Sequence, residues 1–112
     1  VGTFGVGKMK GAAHEDLANR DMCLTDAMPY KRTMPVASGG VHPGMIKKFV
    51  DIAGTELQIQ AGGGVSGHPF GVRGGAKAMA QAVDSAAAGI ELDVYAKDHP
   101  ELAEALRKWG MA

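Results

Sequence analysis

The apolar residues of the chain recur at helical spacing in four stretches. In the first, residues 12–28, the residues that share one face are Ala13, Leu17, Leu24 and Met28. The second, residues 42–54, has Pro43 in its first turn and Gly54 as its stop. Its apolar stripe consists of Met45, Ile46, Phe49, Val50 and either Ile52 or Ala53. Both stretches are predicted to be helices with one buried face.

The third and fourth stretches predict two further helices. In residues 76–90 the apolar stripe is Met79, Val83, Ala86 and Ile90. The last helix is predicted to begin at Pro100, with Asp98 or His99 as its N-cap, and to end at Gly110. Its inner stripe is Leu102, Leu106 and Trp109. The residues between these two helices, ELDVYAKD, are expected to form a short turn.

Two short apolar runs lie between the helices and predict buried strands. They are residues 34–37, which lead into Ser38-Gly39-Gly40, and residues 57–61, which lead into Gly62-Gly63-Gly64. Strands that alternate with helices predict βαβ units and a parallel sheet, which is the α/β class. So few strands cannot close a barrel or cover both faces of a sheet. We therefore expect the chain to be one piece of a larger domain.

The turns that follow the two strands share a design that points to anion binding. SGGVHPG begins at Ser38 and GGGVSGHPFG begins at Gly62, about one βα unit later. Glycines after a strand allow backbone N–H groups to approach an anion, and a helix N-terminus adds partial positive charge. Gly39, Gly40, Gly62 and Gly63 are the candidate phosphate cradle, and Ser38 is a candidate donor to substrate oxygen. The alternative is that these glycines only make tight turns.

Near its start the chain has a lysine between glycines, in GTFGVGKMKG. The spacing is close to that of a P-loop, but Met9 stands where a P-loop has the Ser or Thr that binds Mg²⁺. Lys8 is therefore interpreted as a mobile point charge that could close over a bound anion. An ordinary solvated lysine is the alternative.

Composition and charge exclude several functions. Lys and Arg number 12, as do Asp and Glu, so the chain lacks the basic surplus typical of proteins that bind nucleic acid or anionic membranes. A single cysteine, Cys23, excludes an internal disulfide and favours a cytoplasmic protein. No spacing of His, Cys and carboxylates suggests a metal site. Glycine is the unusual residue: there are 17, roughly twice the usual share.

Taken together, the motifs resemble the C-terminal part of the ribulose-1,5-bisphosphate carboxylase/oxygenase (RuBisCO) large subunit, of the archaeal-type form III or the form II/III branch. The resemblance is carried by GTFGVGKMKG, MPVASGGVHPG, QIQAGGGVSGHPFGVRGGAKAMAQAVD and GIELDVYAKDHPELAEALRKWG, in this order. It implies that residues 1–112 supply βα units 6 to 8 and the C-terminal helices of a (β/α)₈ TIM barrel. That barrel is incomplete without upstream residues.

The resemblance also implies roles for particular residues. Lys8 matches the loop-6 lysine, which stabilises the carboxylate formed when CO₂ adds to the enediolate of ribulose 1,5-bisphosphate. Ser38, Gly39 and Gly40 match the substrate-binding motif after strand 7. Gln60, Ala61, Gly62 and Gly63 match the stretch after strand 8 that binds a phosphate. The Mg²⁺ ligands of the family would lie upstream, and the parent is expected to be a homodimer or a higher homo-oligomer.

Two departures from the family pattern keep an alternative open. Lys10 stands where the family usually has a glutamate, and the segment from Gly11 to Ser38 is shorter than in most carboxylases. The alternative is a RuBisCO-like protein that enolises or isomerises a sugar-phosphate-like substrate. A third hypothesis, a phosphate-binding module that works alone, is disfavoured because its sheet edges would be uncovered. The isolated 112 residues are expected to be inactive as a carboxylase.

Overall fold

The computed structural model describes Thr3, residues 13–25 and residues 33–111. Two short strands lie among six α-helices. In chain order the elements are α1 (Ala13–Leu24), β1 (Val36–Ala37), α2 (Ile46–Ala53), β2 (Gln58–Ile59), α3 (Gly63–Ser66), α4 (Gly71–Ala87), α5 (Leu92–Tyr95) and α6 (Pro100–Trp109). Single 3₁₀ turns, Pro43–Met45 and Ala96–Asp98, precede α2 and α6. The described residues are thus mostly helical and form no closed barrel.

The two strands are parallel, which confirms the prediction for this pair. Val36 lies opposite Gln58 and Ala37 opposite Ile59. Two backbone hydrogen bonds of 2.9 Å join the strands. The N–H of Gln58 donates to Pro35 O, and the N–H of Gln60 donates to Ala37 O. Both strands are shorter than predicted. Because β1 and β2 are parallel neighbours, the turns that follow them lie at the same edge of the sheet.

The second helix lies where its glycine and proline signals predict. Pro43 opens the 3₁₀ turn and Gly54, at a φ of 81°, ends α2. Of the predicted stripe, Met45, Ile46, Phe49 and Ala53 are buried, Val50 is half-buried and Ile52 is exposed. Of Ile52 and Ala53, it is therefore Ala53 that belongs to the buried stripe of α2.

The face predicted for the third helix is confirmed only in part: Met79 is half-buried and packs against the core, as predicted. The helix begins earlier, at Gly71, and of its predicted stripe only Ala86 is buried, whereas Val83 is 42% exposed and Ile90 38% exposed. The buried face consists of small residues: Gly74, Gly75, Ala78, Ala82, Ser85 and Ala86. Small side chains allow α4 to approach its neighbours closely. A Cβ added at Gly75 would lie 1.9 Å from Val65 O.

The remaining helices to compare with the predictions are α1, α5 and α6. α6 begins at Pro100 and ends at Gly110, as predicted, with Leu102 and Ala105 buried. The segment expected to be a turn instead forms α5 and a 3₁₀ turn. The helix predicted over residues 12–28 is described as α1, and Met28 lies outside the described residues. Leu17 of α1 packs on the core, and the Arg20 guanidinium donates to Ala53 O at 3.0 Å, which ties α1 to α2.

Candidate functional site

The two glycine turns line one cavity at the carboxyl ends of β1 and β2. Its volume is about 640 Å³, which is within the usual range for small-molecule sites. The turn after β1 and the turn after β2 both contribute to its lining. The lining residues are Ser38, Gly39, Gly40, Val41, His42, Gln60, Gly62, Gly63, Gly64, Trp109 and Met111.

The backbone conformation of the first turn depends on glycine. Gly39 has a φ of 105° and Gly40 a φ of 68°, values that residues with a side chain rarely adopt. Gly64 is required for a different reason. A Cβ at Gly64 would lie 2.0 Å from Val41 O, so the two turns are in direct backbone contact there. In contrast, a Cβ at Gly62 or Gly63 would meet no atom within 4 Å, because both face open space.

The chemistry of this cavity suits an anion. Within the described part of the chain, the backbone N–H groups of Gly39, Gly40, Gly62 and Gly63 donate to no protein acceptor. The described residues of the lining include no Asp or Glu. Unpaired N–H donors, without a carboxylate to repel a negative charge, can bind phosphate or carboxylate oxygens.

The structure brings together six of the eight residues that the sequence singled out. The six that line the cavity are Ser38, Gly39, Gly40, Gln60, Gly62 and Gly63. Ala61 lines a separate, mostly apolar groove with Ile59, Val65 and Met79, so its side chain is not part of the cavity. Lys8 lies outside the described residues, as does Lys10.

The C-terminal helix contributes to this site in a way that its sequence pattern does not predict. Trp109 was assigned to the inner stripe of α6, but it is half-buried and lines the cavity together with Met111. Leu106, one turn earlier, packs against the core as predicted. Helical periodicity could not separate these roles, since both residues lie on the same stripe. The repeated His-Pro step was the one available signal, because His42 and His68 both contact the Trp109 ring.

The hydrogen bonds around Glu101 attach α6 to α4 and to the second glycine turn. Gln81 of α4 accepts a hydrogen bond from the N–H of Leu102 at 3.0 Å and donates to the Glu101 carboxylate at 3.2 Å. Glu101 O accepts from Nε2 of the buried His68 at 2.7 Å. A hydrogen bond from its own backbone N–H, followed by the one from Gln81, lowers the pKa of the Glu101 carboxyl. These hydrogen bonds therefore anchor the N-terminal turn of α6 to α4 and to the second glycine turn.

The described residues contain neither a group of metal ligands nor a membrane-spanning helix. In Thr3, residues 13–25 and residues 33–111, no three His, Cys, Asp or Glu side chains are grouped so that they could hold a metal ion. Over the same residues, no helix has the length and apolar character needed to cross a membrane.

Parallel strands that each lead into a glycine turn on a shared cavity are typical of α/β proteins, the class in which ligands bind at the carboxyl ends of the strands. Comparison with known proteins then gives the family. The model for the ribulose bisphosphate carboxylase large chain, catalytic domain, matches residues 1–109. The chain belongs to the RuBisCO large-chain family.

Individual relatives agree with this assignment. A ribulose bisphosphate carboxylase from Pyrococcus furiosus is 48% identical over 105 residues, which are 94% of this chain and 25% of the relative. The octameric RuBisCO of Pyrococcus horikoshii superposes with a TM-score of 0.92 at 47% identity, over 97% of this chain and 26% of that one. A rubisco-like protein from Burkholderia fungorum gives 0.83 at 31% identity, over 96% of this chain and 28% of that one. The chain thus spans about a quarter of the length of these carboxylases.

Proposed function

We propose that residues 1–112 are the C-terminal portion of the (β/α)₈ catalytic barrel of a ribulose-bisphosphate carboxylase. The parent protein adds CO₂ to ribulose 1,5-bisphosphate and cleaves the product to two molecules of 3-phosphoglycerate, with oxygenation as a side reaction. One observation carries the proposal. The two predicted glycine turns line a single cavity whose N–H donors are unpaired among the described residues and whose lining has no carboxylate.

In this proposal the cavity holds one phosphate of the bisphosphate. The N–H groups of Gly39 and Gly40 donate from one side, and those of Gly62 and Gly63 from the other. Fixed backbone donors need no reorganisation when the substrate arrives, which favours tight and oriented binding. The Ser38 hydroxyl and the Gln60 amide also line the cavity and donate to other substrate oxygens. Ala61 contributes only through its backbone.

Lys8 is assigned the role of stabilising the negative charge that develops when CO₂ adds to the enediolate. A lysine ammonium is a compact point charge, and its effect is greatest where closure of the site excludes water. The glycines on either side of it in the sequence allow such a closing movement.

The family uses Mg²⁺, but the described residues do not fit that ion. Mg²⁺ requires oxygen ligands, mostly carboxylates and water, whereas this cavity offers N–H donors and no carboxylate. We therefore assign the metal ligands to residues upstream of this chain and no step of the reaction to a metal bound here.

The proposed parent protein is a homo-oligomer located in the cytoplasm. A homodimer is the smallest assembly expected, and the relative from Pyrococcus horikoshii is octameric. A cytoplasmic location is proposed because Cys23 is the only cysteine.

A RuBisCO-like enolase or isomerase is the second candidate. The similarity to the Burkholderia fungorum protein and the presence of Lys10 in place of the usual glutamate favour it. The higher identity to carboxylases and the presence of Lys8 favour the first candidate.

The test uses the complete protein with ribulose bisphosphate in D₂O, with and without ¹³CO₂. A carboxylase exchanges the C3 proton and also forms labelled 3-phosphoglycerate, whereas an enolase or isomerase gives exchange without labelled product. Lys8→Ala is expected to abolish the labelled product and to leave bisphosphate binding largely intact. Carboxylation that survives in Lys8→Ala would refute the role of Lys8, and exchange without product in the wild type would refute carboxylation.

A further inference from the structure

The two His-Pro steps make the same local hydrogen bond, although they belong to different βα units. Nδ1 of His42 accepts from the N–H of Gly44 at 3.2 Å, and Nδ1 of His68 accepts from the N–H of Phe70 at 3.0 Å. In each case the acceptor is two residues before the donor. The neutral ring must then carry its proton on Nε2. Each imidazole is thus oriented by the turn to which it belongs.

Both oriented rings contact one side chain, Trp109. The His42 ring is stacked on the indole, with 5.8 Å between centroids and an interplanar angle of 15°. The His68 ring is tilted against it at 6.5 Å and 55°. Trp109 is the only tryptophan of the chain. A single residue therefore connects the turn after β1 with the turn after β2.

The residues on either side of Trp109 also contact the two turns. The Lys108 ammonium donates to Gly67 O in the second turn and lies 5.1 Å from the centroid of the indole ring. Gly110 O lies so close to Gly44 that a Cβ there would be 1.9 Å away. Three consecutive residues at the end of α6 therefore hold the indole in place between the turns.

The indole of Trp109 also forms part of the wall of the cavity between the two glycine turns. Trp109 and Met111 line the cavity together with the glycines, and the edge of the indole ring lies near Gly67. A change at Trp109 would alter both the spacing of the two turns and the width of the cavity. Since the N–H donors come from both turns, their simultaneous use depends on that spacing.

We propose that Trp109 is a positioning residue for phosphate binding, which sets the separation of the two glycine turns through His42 and His68. The inference rests on the proposed function, in that it takes the cavity to be a phosphate site. It adds a residue outside the glycine motifs to the determinants of substrate affinity.

The test compares three variants of the complete protein: Trp109→Ala, Trp109→Phe and Leu106→Ala. Leu106 is a matched control, since it lies on the same stripe of α6 and packs on the core but does not line the cavity. The measurements are the Kd for inorganic phosphate by calorimetry, KM and kcat for ribulose bisphosphate, and the melting temperature.

Trp109→Ala is expected to weaken phosphate binding about tenfold, because the N–H donors of the two turns are no longer held at the spacing that their simultaneous use requires, and to raise KM more than it lowers kcat. Trp109→Phe keeps an aromatic face and should stay within about twofold of the wild type. Leu106→Ala should lower the melting temperature without changing the phosphate Kd.

The proposal is overturned if Trp109→Ala binds phosphate as the wild type does, or if Leu106→Ala weakens binding equally. It is also overturned, together with the phosphate cradle, if the wild type does not bind phosphate. A wild type that binds phosphate, weakens on Trp109→Ala and does not carboxylate refutes the proposed carboxylase and supports this inference.

Discussion

Gly64 offers a direct test of the contact between the two glycine turns. A Cβ at this position would lie 2.0 Å from Val41 O, 2.8 Å from His42 Cα and 3.0 Å from Val41 C. All three are backbone atoms, so no side-chain rotation can relieve the overlap. The two turns must separate by more than an ångström, which breaks the packing around them. For Gly64→Ala we expect a destabilisation of about 3 kcal/mol, at the upper end of the range for overpacked sites.

Hydrogen exchange in the complete protein measures this local effect. The N–H of Met45 is bonded to His42 O at 3.0 Å in the first turn, and the N–H of Gly67 to Gly63 O at 2.9 Å in the second. If these amides exchange through local opening, a loss of 3 kcal/mol speeds their exchange about a hundredfold. The acceleration should appear in both turns, because the overlap forces them apart.

Gly63→Ala is the matched control for this substitution. Its Cβ would meet no atom within 4 Å, and its neighbour in sequence is the residue under test. Exchange rates in Gly63→Ala should stay close to those of the wild type, since alanine is compatible with the first turn of a helix. Equal exchange in the two variants would show that the turns are not in contact at Gly64, and the described cavity would then be wrong.

Two further predictions concern the anchoring of α6. Gln81→Leu should lower the local stability of α6 by about 1–2 kcal/mol, because the N–H of Leu102 loses the acceptor that serves as its cap. Lys77→Ala removes only a 3.9 Å ion pair between the exposed Lys77 ammonium and Glu101, and should change this stability little. Equal hydrogen exchange of the α6 amides in both variants would contradict this prediction. The pKa of Glu101 is lowered from its ordinary 4.5, so its contribution to stability is present above that pH and is lost as the pH falls through the lower folded value. The melting temperature of the wild type should therefore drop more between about pH 6 and pH 3 than that of Glu101→Gln, and parallel pH profiles would refute this assignment.

The sequence predicted those parts of the fold that depend on local punctuation. Pro43, Gly54, Pro100 and Gly110 marked helix ends correctly, because a fixed φ or a left-handed φ has the same local consequence in any fold. The parallel pairing of the strands followed from their alternation with helices. The exact ends of the strands could not be predicted in this way. The length of a hydrogen-bonded strand pair depends on the partner strand and not only on one strand's own residues.

The face of α4 shows why periodicity failed elsewhere. Its larger apolar residues, such as Met79 and Val83, gave the stronger pattern and were predicted to face the core. The structure buries the stripe of glycine, alanine and serine, because α4 packs closely against α3 and α6. Both line the mostly apolar groove beside β2, but Met79 also packs against the core, whereas Val83 is exposed. A helix with two apolar faces has two candidates for burial, and spacing alone does not rank them.

The same limit applies to the glycines of the site, which serve different physical purposes despite the same letter in the sequence. Gly39 and Gly40 have left-handed backbone conformations, Gly64 and Gly44 permit close backbone contacts, and Gly63 has open space where a side chain would be. A glycine in open space, with no need for a positive φ, has no structural reason to lack a side chain in the described fold. At Gly63 the remaining physical reason is the approach of a ligand to the backbone, since Gly63 lines the cavity. This makes Gly63 the glycine whose substitution should affect phosphate binding without affecting the fold, the reverse of Gly64.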